Sequence, residues 1–228
     1  MSNDAVSVQR VFRTQYLATL FLPFAAGFFL SFIFRNTNAV ISKDLRLELN
    51  LTAADLGLLT SAYFLAFALM QIPVGVFLDR YGPRKVVVSL LAVAALGSLA
   101  FAAADSLTTL TMARALIGVG VSACLMGAFK AFALWFPHDR IATANGWVIA
   151  AGGLGALTAT IPLEVVTQQI GWRMMFVGLA AVAIAIALWI LMVVPEKSAA
   201  GNPESWMEQI HKVGTILSTK TFWQIGLP

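Results

Sequence analysis

Long apolar runs separated by short polar breaks leave this chain one environment in which to fold. A helix rises about 1.5 Å per residue, so roughly 20 apolar residues cross the ~30 Å hydrocarbon core of a bilayer. Runs of about that length or more occupy residues 16–41, 53–78, 85–104, 107–136, 141–166 and 172–194, which predicts six membrane-spanning helices. The breaks between them carry the chemistry of helix ends. Residues 42–50 hold Lys43, Asp44, Arg46 and Glu48, and Thr52 followed by Asp55 is a capping-box pattern that starts the second run. Asp105-Ser106 marks a tight turn, Pro137-His138-Asp139-Arg140 is a break, Gln168-Gln169 closes the fifth run, and Pro195-Glu196-Lys197 stops the sixth.

Composition excludes the competing classes. Of 228 residues, 59% are hydrophobic and 11% charged, whereas soluble domains carry about 25% charge. The fold class is therefore an all-α membrane protein. A net charge of +4 does not point to nucleic acid, because the basic residues form short clusters between apolar runs and not one basic face. His138 and His211 have no Cys or His at metal-ligand spacing, and there is neither a Gly-rich phosphate loop nor a nucleophile motif, so no metal, cofactor or enzymatic reaction is expected. Cys124, the single cysteine, can form no intrachain disulfide.

Four regions follow. Residues 1–15 read as a cytoplasmic tail, 16–194 as the six-helix bundle, 195–220 as a cytoplasmic loop with an amphipathic helix around Trp206, Ile210, Val213 and Leu217, and 221–228 as the start of a seventh span cut short. Orientation comes from the short loops. Arg10, Arg13, Arg80, Arg84, Lys85, Arg140 and Lys197 fall on the side of the amino terminus, against Lys43, Arg46 and Arg173 on the other, which puts both ends in the cytoplasm. Spans one to three and four to six then have opposite topology, the arrangement of inverted three-helix repeats.

Between the second and third spans the chain reads Gly75-Val76-Phe77-Leu78-Asp79-Arg80-Tyr81-Gly82-Pro83-Arg84-Lys85. This resembles the signature loop of the major facilitator superfamily, G-x-L-x-D-R-x-G-R-K, matching at Gly75, Asp79, Arg80 and Gly82 and ending on the basic pair Arg84-Lys85. Phe77 stands for Leu, and Pro83 is inserted. Arg114, Gly118 and Gly120 resemble the family's R-x-x-x-G-x-G stretch in the fourth span, while Trp135-Phe136-Pro137 and Gly171-Trp172-Arg173 fall where that family has such residues. The resemblance implies two six-helix bundles around a central cavity, of which this chain supplies the first. Physically, Gly75 admits a neighbouring helix, Gly82 a tight turn, and Asp79 with Arg80 can bond facing helix ends. Gly146, Gly152, Gly153 and Gly155 in the fifth span read as packing residues, since the Pro expected of the drug-exporter motif is absent after Gly153.

Charges inside spans are costly and mark function. Arg35 lies in Phe34-Arg35-Asn36-Thr37-Asn38 of the first span and resembles the first-span arginine of the organophosphate:phosphate antiporters and related anion symporters. A guanidinium forks onto carboxylate or phosphate; the competing reading is an arginine snorkelling to headgroups. Lys130 in the fourth span is the second candidate, with snorkelling to the inner interface as its alternative. Arg114 reads as a cavity charge or a structural partner, and Glu164 as a coupling or an interfacial carboxylate. The expected function is secondary transport of a small anion by alternating access in an inner or plasma membrane, with Arg35, Asn38 and Lys130 binding substrate. A proton-coupled exporter and a non-transporting partner subunit are the alternatives. The bundle is expected to need a carboxy-terminal half or self-association, since a six-residue start of a seventh span leaves one cavity wall missing.

Overall fold

The computed structural model describes residues 17–196. The expectations for the tail at 1–15, for the loop and amphipathic helix beyond Glu196 and for 221–228 lie outside the described residues. A π-helical turn, Leu17–Phe21, leads into α1 (Leu22–Val40); α2 (Ser42–Leu49), α3 (Ala53–Ala102), α4 (Leu107–Val121), α5 (Cys124–Trp135), α6 (His138–Thr158) and α7 (Ile161–Val193) follow.

Ala18–Val40, Ala53–Ala102, Leu107–Trp135, His138–Thr158 and Ile161–Val193 are each long and apolar enough to cross a membrane. An unbroken helix of 50 residues would be about 75 Å long, more than twice the hydrocarbon core, so α3 must be two crossings. The division falls at Gly82, whose φ of 79° and ψ of 162° lie where only glycine is unstrained. Pro83, with no N–H to leave unpaired, opens the third span. Gly171 (φ 80°, ψ 156°) does the same in α7: residues before it complete the fifth span and residues after it form the sixth.

The two halves of the bundle repeat one another. Gly82 and Gly171, Arg84 and Arg173, and Pro73 and Pro162 each stand 89 residues apart. Each arginine caps the end of the other half. The Arg84 guanidinium donates to the Leu191 carbonyl, whose helical partner four residues on would be Pro195, which has no N–H to give. Arg173 donates to the Ala104 carbonyl at 3.4 Å and to Asp105 at 2.9 Å, beyond the end of the third span. The third and sixth spans thus lie antiparallel, with a cation on each carboxyl terminus where the helix dipole favours it.

Local sequence explains the remaining ends. Thr52 and Asp55 form the capping box their spacing suggested, and Ser106 with Thr109 forms a second at the start of α4. Three elements differ from expectation, one of them the fifth span, which is interrupted at Ala159-Thr160 between α6 and α7, where the Thr160 hydroxyl donates to the Leu157 carbonyl. The polar break at 42–50 is itself helical, because Ile41 and Leu45 are fully buried while Lys43 and Arg46 stay outside; Asn50, at φ 53°, ends it. The fourth span is interrupted at Ser122-Ala123 between α4 and α5, where the Ser122 hydroxyl donates to the Val119 carbonyl at 2.6 Å and competes with the helical ladder. The first span packs chiefly on the fifth, where Gly152 and Gly155 leave the room that Phe28, Phe29 and Phe32 occupy; Gly146 and Gly153 face open space.

Candidate functional site

Arg35 projects from α1 into the groove between the first and second spans. Its guanidinium lies 4.6 Å from the ring centre of Phe32, 5.8 Å from Phe64 and 5.4 Å from Phe67. Nε is buried with no hydrogen-bond partner, and among the described residues Arg35 has no ion pair. Three residues on, Asn38 ties the first span to the second: its Nδ2 donates to the Leu56 carbonyl at 3.1 Å and to Thr60 Oγ1 at 2.7 Å, while its Oδ1 is buried and unpartnered.

Behind this groove lies Arg114, 1% exposed. Its Nη1 donates to the carbonyl of Phe34 at 3.0 Å, and its guanidinium sits 5.1 Å from the Phe101 ring and 5.7 Å from Phe176. Nε and Nη2 are buried without partners. Tyr63 is also buried, and its hydroxyl is within electrostatic reach of both arginines. Among the described residues no Asp or Glu is buried. The layer therefore holds two permanent cations and a hydroxyl without a counter-ion, an arrangement chemically complementary to a carboxylate, sulfonate or phosphate.

Lys130, expected with Arg35, is placed elsewhere. Its Nζ donates to Asp79 Oδ1 at 2.7 Å, joining α5 to the signature loop, because a lysine six residues before the end of its span reaches the interface along its own stem. The rest of that loop points the same way. Arg80 stacks over Tyr81 at 5.6 Å, and Arg84 and Lys85 both pair with Glu196 just past the end of α7. Gly75, expected to admit a neighbouring helix, has open space among the described residues where a Cβ would sit. Gly118 and Gly120 do admit neighbours: Gly118 abuts the Tyr63 backbone and Gly120 that of Ala94.

The Lys85 ammonium bonded to Glu196, with Arg84 adding its charge, holds that carboxyl below the usual carboxylate range. A depressed pKa contributes stability that is present above the ordinary value of about 4.3 and lost as pH falls through the depressed one. The melting midpoint of Glu196→Gln is accordingly expected below that of the parent at pH 7, with the gap closing under acid conditions; a gap that is constant with pH would contradict this.

Residues that sequence reasoning missed are aromatic or distant. Phe32 precedes Arg35 by three positions, one helical turn, and Phe64 and Phe67 share that spacing, but their convergence requires the tertiary fold. Glu48 on α2 accepts from Trp172 Nε1 at 2.6 Å and pairs with Arg173 at 3.0 Å, tying that short helix to the start of the sixth span.

The chain is 31% identical over 166 residues to the protein named probable sulfoacetate transporter SauU of Cupriavidus necator, covering 72% of this chain and 38% of that one. It is 26% identical over 218 residues to the hexuronate transporter of Escherichia coli, covering 89% of this chain and 50% of that one. The chain thus spans half or less of the length of these relatives. Among solved structures, a bacterial homologue of the human lysosomal transporter Spinster in an inward-facing conformation superposes with a TM-score of 0.71 at 20% identity, over 88% of this chain and 49% of that one. The inward-open xylose transporter XylE of E. coli gives 0.64 at 17%, over 94% and 54%. Residues 24–227 match the Major Facilitator Superfamily. With the six spans, the glycine-marked repeat and the signature loop in place, this chain is an integral membrane protein of the Major Facilitator Superfamily, a family of transporters and not of enzymes.

Proposed function

We propose that the chain forms the first bundle of a secondary transporter that moves a small organic anion by alternating access, with its amino terminus in the cytoplasm of an inner or plasma membrane. The observation that carries this reading is Arg35, a permanent charge inside the first span with no counter-ion among the described residues. Leaving such a charge facing lipid costs at least about 2.5–3.5 kcal/mol, and an anion in the groove offsets that cost. Asn38 fixes the spacing of the first two spans beside it, and Arg114 with Tyr63 backs it. The relatives support the same chemistry: sulfoacetate and hexuronates, which their names give as cargo, all carry an acid group ionised at neutral pH. A second bundle, or a second copy of the chain, completes the cavity.

Uptake by the full-length protein in proteoliposomes tests this. Saturable uptake of sulfoacetate, D-galactonate or D-glucuronate is expected, with the other acids competing and xylose not competing. Transport of neutral sugar unaffected by any of these acids would overturn the proposal.

Asp79, Arg80 and Lys130 act in this reading on the conformational change and not on substrate. The Asp79–Lys130 pair is half open to solvent, so its worth is about 1 kcal/mol or less. Asp79→Asn is expected to shift the ratio of inward to outward states, and the transport rate with it, by up to about five-fold while leaving affinity within experimental error. Measuring both in the same preparation separates the two outcomes.

A further inference from the structure

We propose that Phe32, Phe64 and Phe67 form an aromatic cage that positions Arg35, holding its guanidinium by the faces and leaving its edge for the anion. The inference rests on Arg35 as the anion site and adds how that site is kept ready. A guanidinium is planar and weakly hydrated on its faces, while all five N–H donors lie in its plane. Ring centres at 4.6, 5.8 and 5.4 Å are within the distance, about 6 Å, at which a ring attracts a cation through its quadrupole. A carboxylate could hold the arginine as well, but it would occupy the donors that substrate needs. Rings hold the cation and leave its charge uncompensated.

The cage is itself braced. Phe67 stacks on Tyr63 at 6.3 Å and 18°, Phe64 meets the same ring edge-on at 5.2 Å, and Phe32 packs edge-on against Phe28 at 5.0 Å. Gly152 of the fifth span leaves the space that Phe28 and Phe32 fill. Bracing matters because Arg35 is only five residues from the end of α1, about 7.5 Å along the axis. Its stem is long enough to carry the charge out to the headgroups. Each excursion removes the binding-competent arrangement, and apparent affinity falls with the fraction of molecules that keep it.

Binding to the full-length protein in detergent tests the cage, with sulfoacetate, D-galactonate and D-glucuronate as probes and melting midpoints confirming folding. Phe64→Leu and Phe67→Leu are each expected to raise the Kd about five-fold, with the transport rate at saturation unchanged. Phe67→Tyr, which keeps the ring, is expected to restore the parent Kd, and Arg35→Gln to remove binding. Leucine variants that bind like the parent, or a tyrosine variant as impaired as leucine, would overturn the cage while Arg35→Gln still reported the anion site. Parent-like binding by Arg35→Gln, or no binding of any probe by the parent, would overturn the anion site and the cage together.

Discussion

Arg35→Lys is expected to weaken anion binding by about 10- to 100-fold in the full-length protein, although the charge is kept. The fork is what is lost. A guanidinium gives a carboxylate or sulfonate two parallel N–H bonds in one plane, and hydrogen bonds to charged groups contribute about 1.5–3 kcal/mol each. An ammonium is a point charge that draws a tighter hydration shell and cannot lie flat against Phe32 and Phe67 while presenting two donors. Arg35→Gln removes the charge too, and its loss is expected to exceed that of lysine. Folding should survive in both, since Arg35 makes no ion pair with the described bundle and its Nε has no hydrogen-bond partner. Titration of sulfoacetate, D-galactonate and D-glucuronate against parent and variants, with melting midpoints alongside, reads this out. A lysine variant with parent affinity for all three acids would show that the fork is not the binding element.

That Arg35 could be singled out from sequence at all reflects how the bilayer simplifies the problem. Apolar runs and polar breaks mark the spans because the hydrocarbon core tolerates neither short helices nor stray charge, and the capping box at Thr52 and Asp55 is a local signal four residues long. Gly82 and Gly171 were equally visible as letters, yet the repeat they mark emerges only when each is seen to hold the same positive φ and each following arginine to cap the other half. Pairings across the fold were not legible. Lys130 and Asp79 are 51 residues apart, Trp172 and Glu48 124 apart, and nothing local distinguishes a lysine bound for a cavity from one that reaches back to a loop. The interruption at Ser122 follows from a hydroxyl taking the Val119 carbonyl, a choice a serine in a membrane helix need not make. The rings around Arg35 carry no mark in the sequence, because a phenylalanine facing lipid and one facing a guanidinium are the same letter.

The largest effect on folding is expected at Gly120. A Cβ there would lie 2.6 Å from that of Ala94 and closer still to its backbone nitrogen, so the third and fourth spans touch main chain to main chain. The contact is reciprocal, since a Cβ at Gly97 would meet the Ile117 nitrogen at 2.8 Å. Neither clash involves the flexible end of a side chain, and relief requires one helix to move off the other. Such a shift would also disturb Gly118, two residues earlier, which abuts Tyr63 and through it the stack with Phe67 beside Arg35. Alanine gains up to about 1 kcal/mol in helix propensity over glycine, whereas overpacking costs about 1–3 kcal/mol and more where backbone must move. The second term wins, so Gly120→Ala is expected to lower the melting midpoint by several degrees and Gly120→Leu to leave little folded protein. Gly178, in the sixth span, has open space where its Cβ would sit, and Gly178→Ala is expected to match or exceed the parent. The recovered folded fraction and melting midpoint of the three variants in one detergent give the comparison. A Gly120→Ala protein as stable as Gly178→Ala would mean that the third and fourth spans do not meet in this way.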